Sequence, residues 1–298
     1  MSSRQDIQVR SSGNPSMSEA IDVYLKTGDH DPKFSAWPGD GFSDRLRKGS
    51  DSLRDALIAE VMARTRSCPS VELPENLDIC QYSRRKLGGM VTGLFPKAEQ
   101  ATVLAMLEQS VVFLTHRNFA SVVRDMAWLG TAWDLANLDL ASCSAELLSE
   151  GAPAILGLSI ETTCYVSTDY FHAADRFEDF VVHEAAHVFH NCKREALGLP
   201  HSRHREWLLE IEYGKRETFA YACEAYSRLL ELGCDTRHRQ DLLAELAAAP
   251  LPSDERVVGA EYLDILGEAI KARNGWKRIL ARCSPAAVRR QQGLPPIL

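Results

Sequence analysis

The sequence predicts a predominantly helical α+β protein with one small β-sheet. Apolar residues recur at helical spacing through most of residues 51–150. The period then shortens, and two short runs rich in β-branched residues, 155–160 and 163–167, predict neighbouring strands. A nearly continuous apolar helical segment, residues 180–190, follows the strands and carries histidine and glutamate. Helices, two strands and a buried helix in this order indicate the α+β class.

Composition and charge argue against several classes of protein. The chain has 298 residues, of which 45% are hydrophobic and 25% charged, as expected for a globular protein. A net charge of -7 argues against a nucleic-acid-binding surface as the main feature. The eight cysteines form no C-x-x-C pair, which is typical of a reducing compartment. With no apolar signal segment and no apolar run long enough to span a membrane, we expect a cytoplasmic protein without a membrane partner.

Three regions are predicted along the chain. Residues 1–50 are polar, and we expect them to form a partly ordered arm with one short helix near residues 18–26. A helix is expected to begin at Ser50 or Asp51 and to open a helical region over residues 51–150. Its apolar stripes predict a bundle core and leave it as a candidate surface for a partner protein. The remaining motifs lie in residues 151–298.

The apolar helix of residues 180–190 contains the pattern H-E-x-x-H. At about 100° per residue, His183 and His187 project from one face one turn apart and can reach the same ion. Glu184 lies about 100° round the helix, so it can take a proton from a water that the ion holds. The alternative is a core helix whose histidines are satisfied by hydrogen bonds. A buried helix seldom carries such residues unless something satisfies them, which favours zinc.

A catalytic zinc site needs a third protein ligand and one open position. The best candidate is Glu217, because Glu217, Ala220, Tyr221 and Glu224 share one face of a later helix. The small side chain of Ala220 would let this helix approach the metal helix closely. Glu224 and Glu212 remain alternatives for the third ligand.

These residues resemble the gluzincin zinc metallopeptidases. The pattern of that family is H-E-x-x-H followed, some tens of residues later, by a glutamate on a second helix. His183, Glu184, His187 and Glu217 match it. The resemblance implies zinc as the cofactor, a peptide or protein as the substrate, and Glu184 as the general base.

Two subgroups are similar in more detail. The segment from Tyr213 to Glu217 is similar to the corresponding part of the lethal-factor class of toxin proteases, in which a tyrosine before the ligand helps to stabilise the oxyanion. The order of strand, H-E-x-x-H helix and Glu-x-x-Ala helix is similar to intracellular metallopeptidases of prophages and mobile elements that cut repressors. The resemblance covers residues 155–230 and implies a zincin-like domain over residues 151–298.

One departure from the family concerns the histidine ligands. Many gluzincins carry an acidic residue four positions after the ligand glutamate, where it orients a zinc histidine, and this position is Tyr221 here. We expect Glu224, Asp179 or a backbone carbonyl to take over that task. Two roles are possible for Cys164, which lies in the strand before the metal helix. Its thiolate could occupy the open zinc position, or it is an ordinary buried cysteine.

The resulting hypothesis is a zinc-dependent endopeptidase in which Tyr213, or alternatively His204, donates a hydrogen bond to the oxyanion. Two other functions stay open: a non-catalytic zinc-binding regulatory or scaffold protein, and a zinc hydrolase of a non-peptide amide or ester. A cleft that adds an extended peptide beside residues 163–167 would favour the peptidase. A closed pocket would favour the small-molecule hydrolase.

Overall fold

The computed structural model describes residues 15–68, 73–152, 155–172 and 175–286, so the first part of the predicted arm lies outside it. Within these ranges the chain forms eleven α-helices and three strands. In chain order they are α1 (Met17–Thr27), α2 (Phe42–Arg64), α3 (Ile79–Leu94), α4 (Lys97–Ser110), β1 (Val111–Leu114), α5 (Phe119–Asp125), α6 (Leu129–Ser142), β2 (Gly157–Ile160), β3 (Thr163–Ser167), α7 (Phe180–Asn191), α8 (Arg216–Leu232), α9 (Thr236–Ala248), α10 (Gly259–Lys271) and α11 (Gly275–Cys283). None of these helices combines the length and apolar character that a membrane crossing requires.

The predicted class is confirmed, since the chain is mostly helical with one small sheet. Both predicted strands are present as β2 and β3, which pair antiparallel. A third strand, β1, pairs parallel with β3 and was not predicted. Val111 and Val112 fall within the region 51–150 for which helices are predicted, but α4 ends at Ser110. The β-branched pair then enters the sheet, because pairing with a distant strand decides the conformation of so short a run.

The helices near the N-terminus follow the sequence signals only in part. The short helix expected near residues 18–26 is α1, which Ser16 and Glu19 close with a capping box. The expected start at Ser50 or Asp51 is wrong, because α2 already begins at Phe42. Gly49 lies inside this helix, where the ring of Phe34 would come within 2.2 Å of an added Cβ. The glycine therefore makes room for a packed ring instead of marking a boundary.

The part of the chain that the structure describes forms two compact units. The first contains residues 15–68 and 116–152, and in it α2 packs against α1, α5 and α6. The hydroxyl of Tyr24 donates to the backbone carbonyl of Leu129 at 2.8 Å, which joins α1 to α6 in the core of this unit.

The second unit contains the described residues 73–115, 155–172 and 175–286 and is organised around α7. This helix packs on β2 and β3 and also against α3 and α8, while α10 and α11 pack against α8. Its apolar residues from Val181 to Phe189 are fully buried. Asp179 caps its N-terminus by accepting a hydrogen bond from the backbone N–H of Val182. The core thus fixes the direction in which the polar face of α7 points.

The sheet has the order β1-β3-β2. Because β3 is the central strand with a neighbour on each side, residues 163–167 offer no free edge to which an extended peptide could add. Among the described residues, β2 has a strand on one side only. The strand at the other edge is β1, and of the two edge strands β2 is the one that packs closely against α7.

Candidate metal centre

Two helices bring three donor atoms to one point. His183 and His187 lie one turn apart on α7, and their Nε2 atoms are 3.2 Å apart. Glu217, in the first turn of α8, places its Oε2 atom 3.4 Å from Nε2 of His187 and 3.8 Å from Nε2 of His183. Ligands of a tetrahedral zinc ion, each about 2.0–2.1 Å from it, lie about 3.3 Å from one another. The spacing of the three donors therefore suits one small divalent ion.

The hydrogen bonds behind the two rings determine which nitrogens face the shared point. Nδ1 of His183 donates to the Glu224 carboxylate at 3.0 Å, so in the neutral ring Nε2 keeps its lone pair. Nδ1 of His187 lies 3.0 Å from Nε2 of His190, whose own Nδ1 contacts the Asn191 side-chain oxygen at 3.1 Å. Since that Nδ1 carries the proton, His190 accepts from His187. Both Nε2 lone pairs then face the Glu217 oxygen, and three acceptors need a cation between them.

The charges around the centre favour such a cation. Burial lowers the pKa of His183, but the hydrogen bond to Glu224 and the charges of Glu184 and Glu217 raise it to about 9. The negative charges of these glutamates therefore stabilise a positive charge on the His183 ring. A metal ion competes with a proton for Nε2 of this ring. Burial, and then the charges of His187 and Arg216, lower the pKa of His190 to about 3. His190 consequently stays neutral and can accept the bond from His187.

Glu224 is the residue that orients the ring of His183. The sequence had left Glu224, Asp179 and a backbone carbonyl as candidates for this role. One carboxylate oxygen accepts from His183, and the other accepts from the backbone N–H of Asp179 at 2.7 Å. Glu224 therefore serves the far nitrogen of the ring, while Glu217 is the glutamate that joins the donor cluster. Tyr221, at the position where the family has an acidic residue, packs its ring against His183 with centroids 4.5 Å apart.

A buried ionic pair supports this arrangement from behind. The ammonium of Lys86, on α3, donates to the side chain of Asp179 at 2.8 Å and also contacts Glu231. Asp179 is fully buried, and its other oxygen accepts from the hydroxyl of Tyr170 at 3.1 Å. A chain of contacts thus runs from Lys86 through Asp179 and Glu224 to the histidine ring.

Glu184 is buried beside the donor cluster and contacts β2. Its side chain bonds to that of Ser159, and an added Cβ at Gly157 would lie 2.5 Å from its Oε1 atom. Glycine at position 157 is thus required by the closeness of the carboxylate. Burial raises the pKa of Glu184, while the two histidines and Ser159 partly offset this. A carboxyl with a raised pKa is better suited to exchange protons near neutral pH.

Glu217 stays ionised although its side chain is partly buried. Burial raises its pKa, but the bond to His187 and the charges of both histidines and Arg256 outweigh that effect and lower it. One guanidinium nitrogen of Arg256 lies 3.0 Å from Oε1 of Glu217, the oxygen that does not face the histidines. Glu212, the other predicted competitor, has an exposed side chain.

The two predicted oxyanion donors are both on the surface. Tyr213 lies just before α8, is 84% exposed, and has the guanidinium of Arg216 over its ring at 5.2 Å. His204 is exposed, and its Nε2 accepts a hydrogen bond from Arg203 at 2.8 Å. The oxyanion role of Tyr213, or alternatively of His204, therefore stays a prediction.

Cys164 behaves as a structural cysteine. It is fully buried in β3, and burial together with the charge of Glu184 raises the pKa of its thiol. The thiolate that would be needed to bind a metal is therefore disfavoured, and the donor cluster does not include this residue.

Four residues of the centre were missed from the sequence. His190 had a signal, because it follows His187 by three positions and shares its face of α7. Lys86, Gly157 and Arg256 had none, since their contacts with the centre come only from the fold. Comparison with models of protein families, with curated proteins and with solved structures found no match to this chain.

Proposed function

We propose that the protein is a zinc-dependent endopeptidase with a zincin-like second unit. The observation that carries the proposal is the convergence of three acceptor atoms, from His183, His187 and Glu217, beside the buried carboxyl of Glu184. Two histidines and a glutamate form a ligand set that catalytic zinc sites use with one position open. The described residues offer three donors here and no fourth, which favours an open position over the closed shell of a regulatory zinc site.

The chain's own residues supply the proton transfers of a hydrolysis. A zinc ion in this centre would polarise a carbonyl group and lower the pKa of water bound to it. Glu184 accepts the proton of the attacking water and returns it to the amine that leaves. Burial raises the pKa of this carboxyl, which favours its release of the proton to the departing amine.

The sheet supports a peptide as the substrate. An extended chain can pair with the free edge of a strand through main-chain hydrogen bonds, without a particular sequence. β2 is an edge strand, and its residues Gly157 and Ser159 both contact Glu184. A peptide on β2 would therefore lie beside the general base, which favours peptide hydrolysis over the hydrolysis of small amides or esters.

The test uses zinc-loaded protein and a library of peptides from a digested proteome, with cleavage products identified by mass spectrometry. Wild type is compared with Glu184→Gln, which keeps the shape of the side chain and removes the base. We expect cleavage by wild type and its loss in the variant, with equal zinc content in both. No wild-type products, or equal cleavage by the variant, would contradict the proposal.

A further inference from the structure

We propose that Arg256 is a positioning residue that keeps Glu217 bound to the metal through a single oxygen. The inference rests on the metal centre of the proposed function and extends it to the loop between α9 and α10. That loop had no assigned role in the sequence.

The two oxygens of Glu217 have separate partners. Oε2 faces the histidines at 3.4 and 3.8 Å, whereas Oε1 contacts the guanidinium of Arg256 at 3.0 Å. A carboxylate can bind a metal with one oxygen or with both. Turning Oε1 toward the metal would break its charge-assisted bond to Arg256. The guanidinium therefore favours the arrangement with one metal-binding oxygen.

The orientation of the Arg256 side chain is fixed by Asp254. The side chain of Asp254 accepts from Nε of Arg256 at 2.9 Å and from its backbone N–H at 2.8 Å. The side chain of Arg256 is 62% exposed, so packing alone would not hold a long flexible group in this place. Asp254 thus acts as the anchor that directs the remaining guanidinium nitrogen at Glu217.

The consequence concerns the open position of the centre. A glutamate that binds with both oxygens would occupy the site that water and a substrate carbonyl need. Arg256 also brings positive charge to a region that holds the carboxylates of Glu217, Glu184 and Glu224, which lowers their mutual repulsion. Loss of Arg256 should therefore change the coordination of the metal as well as its affinity.

The experiment replaces zinc by cobalt(II), whose visible absorption is strong in four-coordinate sites and weak when a further ligand is added. Wild type, Arg256→Ala, Arg256→Lys and Asp254→Asn are compared, with Arg237→Ala as the control, because Arg237 is an exposed arginine in the first turn of α9. Zinc affinity is measured by competition with a chelator, and the fold by circular dichroism.

We expect weaker cobalt absorption and about 10–100-fold weaker zinc binding in Arg256→Ala, with the fold unchanged. Asp254→Asn should show the same signature in milder form, and Arg256→Lys should restore part of both signals. The control should match wild type.

Two failures can be told apart. If Arg256→Ala has the spectrum and zinc affinity of wild type, the positioning role is refuted while the metal centre stands. If wild type itself binds neither zinc nor cobalt, both the proposed function and this inference are refuted.

Discussion

The substitution Gly157→Ala tests whether the exact place of Glu184 matters. An added Cβ would lie 2.5 Å from Oε1 and 2.7 Å from Cγ of Glu184, both well inside van der Waals contact. The carboxyl must then retreat by about 0.9 Å to reach an ordinary contact distance. A misplacement of about 1 Å can lower a catalysed rate about 100-fold. Because the metal ligands lie on α7 and α8, zinc binding should not change.

The assay measures kcat/KM on a peptide taken from the cleaved set of the library, together with zinc content after dialysis. Gly88→Ala is the matched control, since nothing lies within 4 Å of an added Cβ at this position. We expect about a 100-fold loss for Gly157→Ala with full zinc content, and normal rates for the control. If Gly157→Ala cleaves as fast as wild type, the contact between β2 and Glu184 does not govern the rate.

Two further predictions concern buried charge. Lys86→Met leaves the buried Asp179 without its cation and should lower the free energy of unfolding by about 3 kcal/mol in urea titrations, whereas the exposed Lys271→Met should not. A normal stability for Lys86→Met would show that the pair contributes little. Asp139 is fully buried in α6, and burial raises its pKa to about 6, with His116 opposing. The folded state then binds a proton that the unfolded state releases near pH 4, so stability should fall by about 3 kcal/mol as the pH rises from about 4 to 6. In Asp139→Asn this part of the pH dependence should disappear, and a curve that keeps the wild-type slope would refute the assignment.

Much of the centre could be predicted because helix geometry is local. The spacing of His183 and His187 fixes them on one face of α7, and the small Ala220 correctly indicated which face of α8 turns inward. The burial of the polar residues on α7 also followed from their apolar neighbours. These inferences needed only the periodicity of an α-helix.

The rest depended on contacts between distant parts of the chain. The strand β1 exists because β3 pairs with it, which a four-residue apolar run cannot reveal. Likewise, Lys86 and Arg256 look like ordinary surface charges until folding places them against Asp179 and Glu217. The free edge of β2 also became visible only once the order of strands was known.

Metal analysis tests most directly whether Glu217 is the third ligand of a zinc centre. Wild type and Glu217→Ala are compared after expression with zinc and extensive dialysis. Glu212→Ala serves as the control, because this neighbouring glutamate is exposed and outside the donor cluster. We predict stoichiometric zinc in wild type and the control, and at least about 100-fold weaker binding in Glu217→Ala, since a ligand matters more than its supporting partners. Stoichiometric zinc with wild-type affinity in Glu217→Ala would contradict the account.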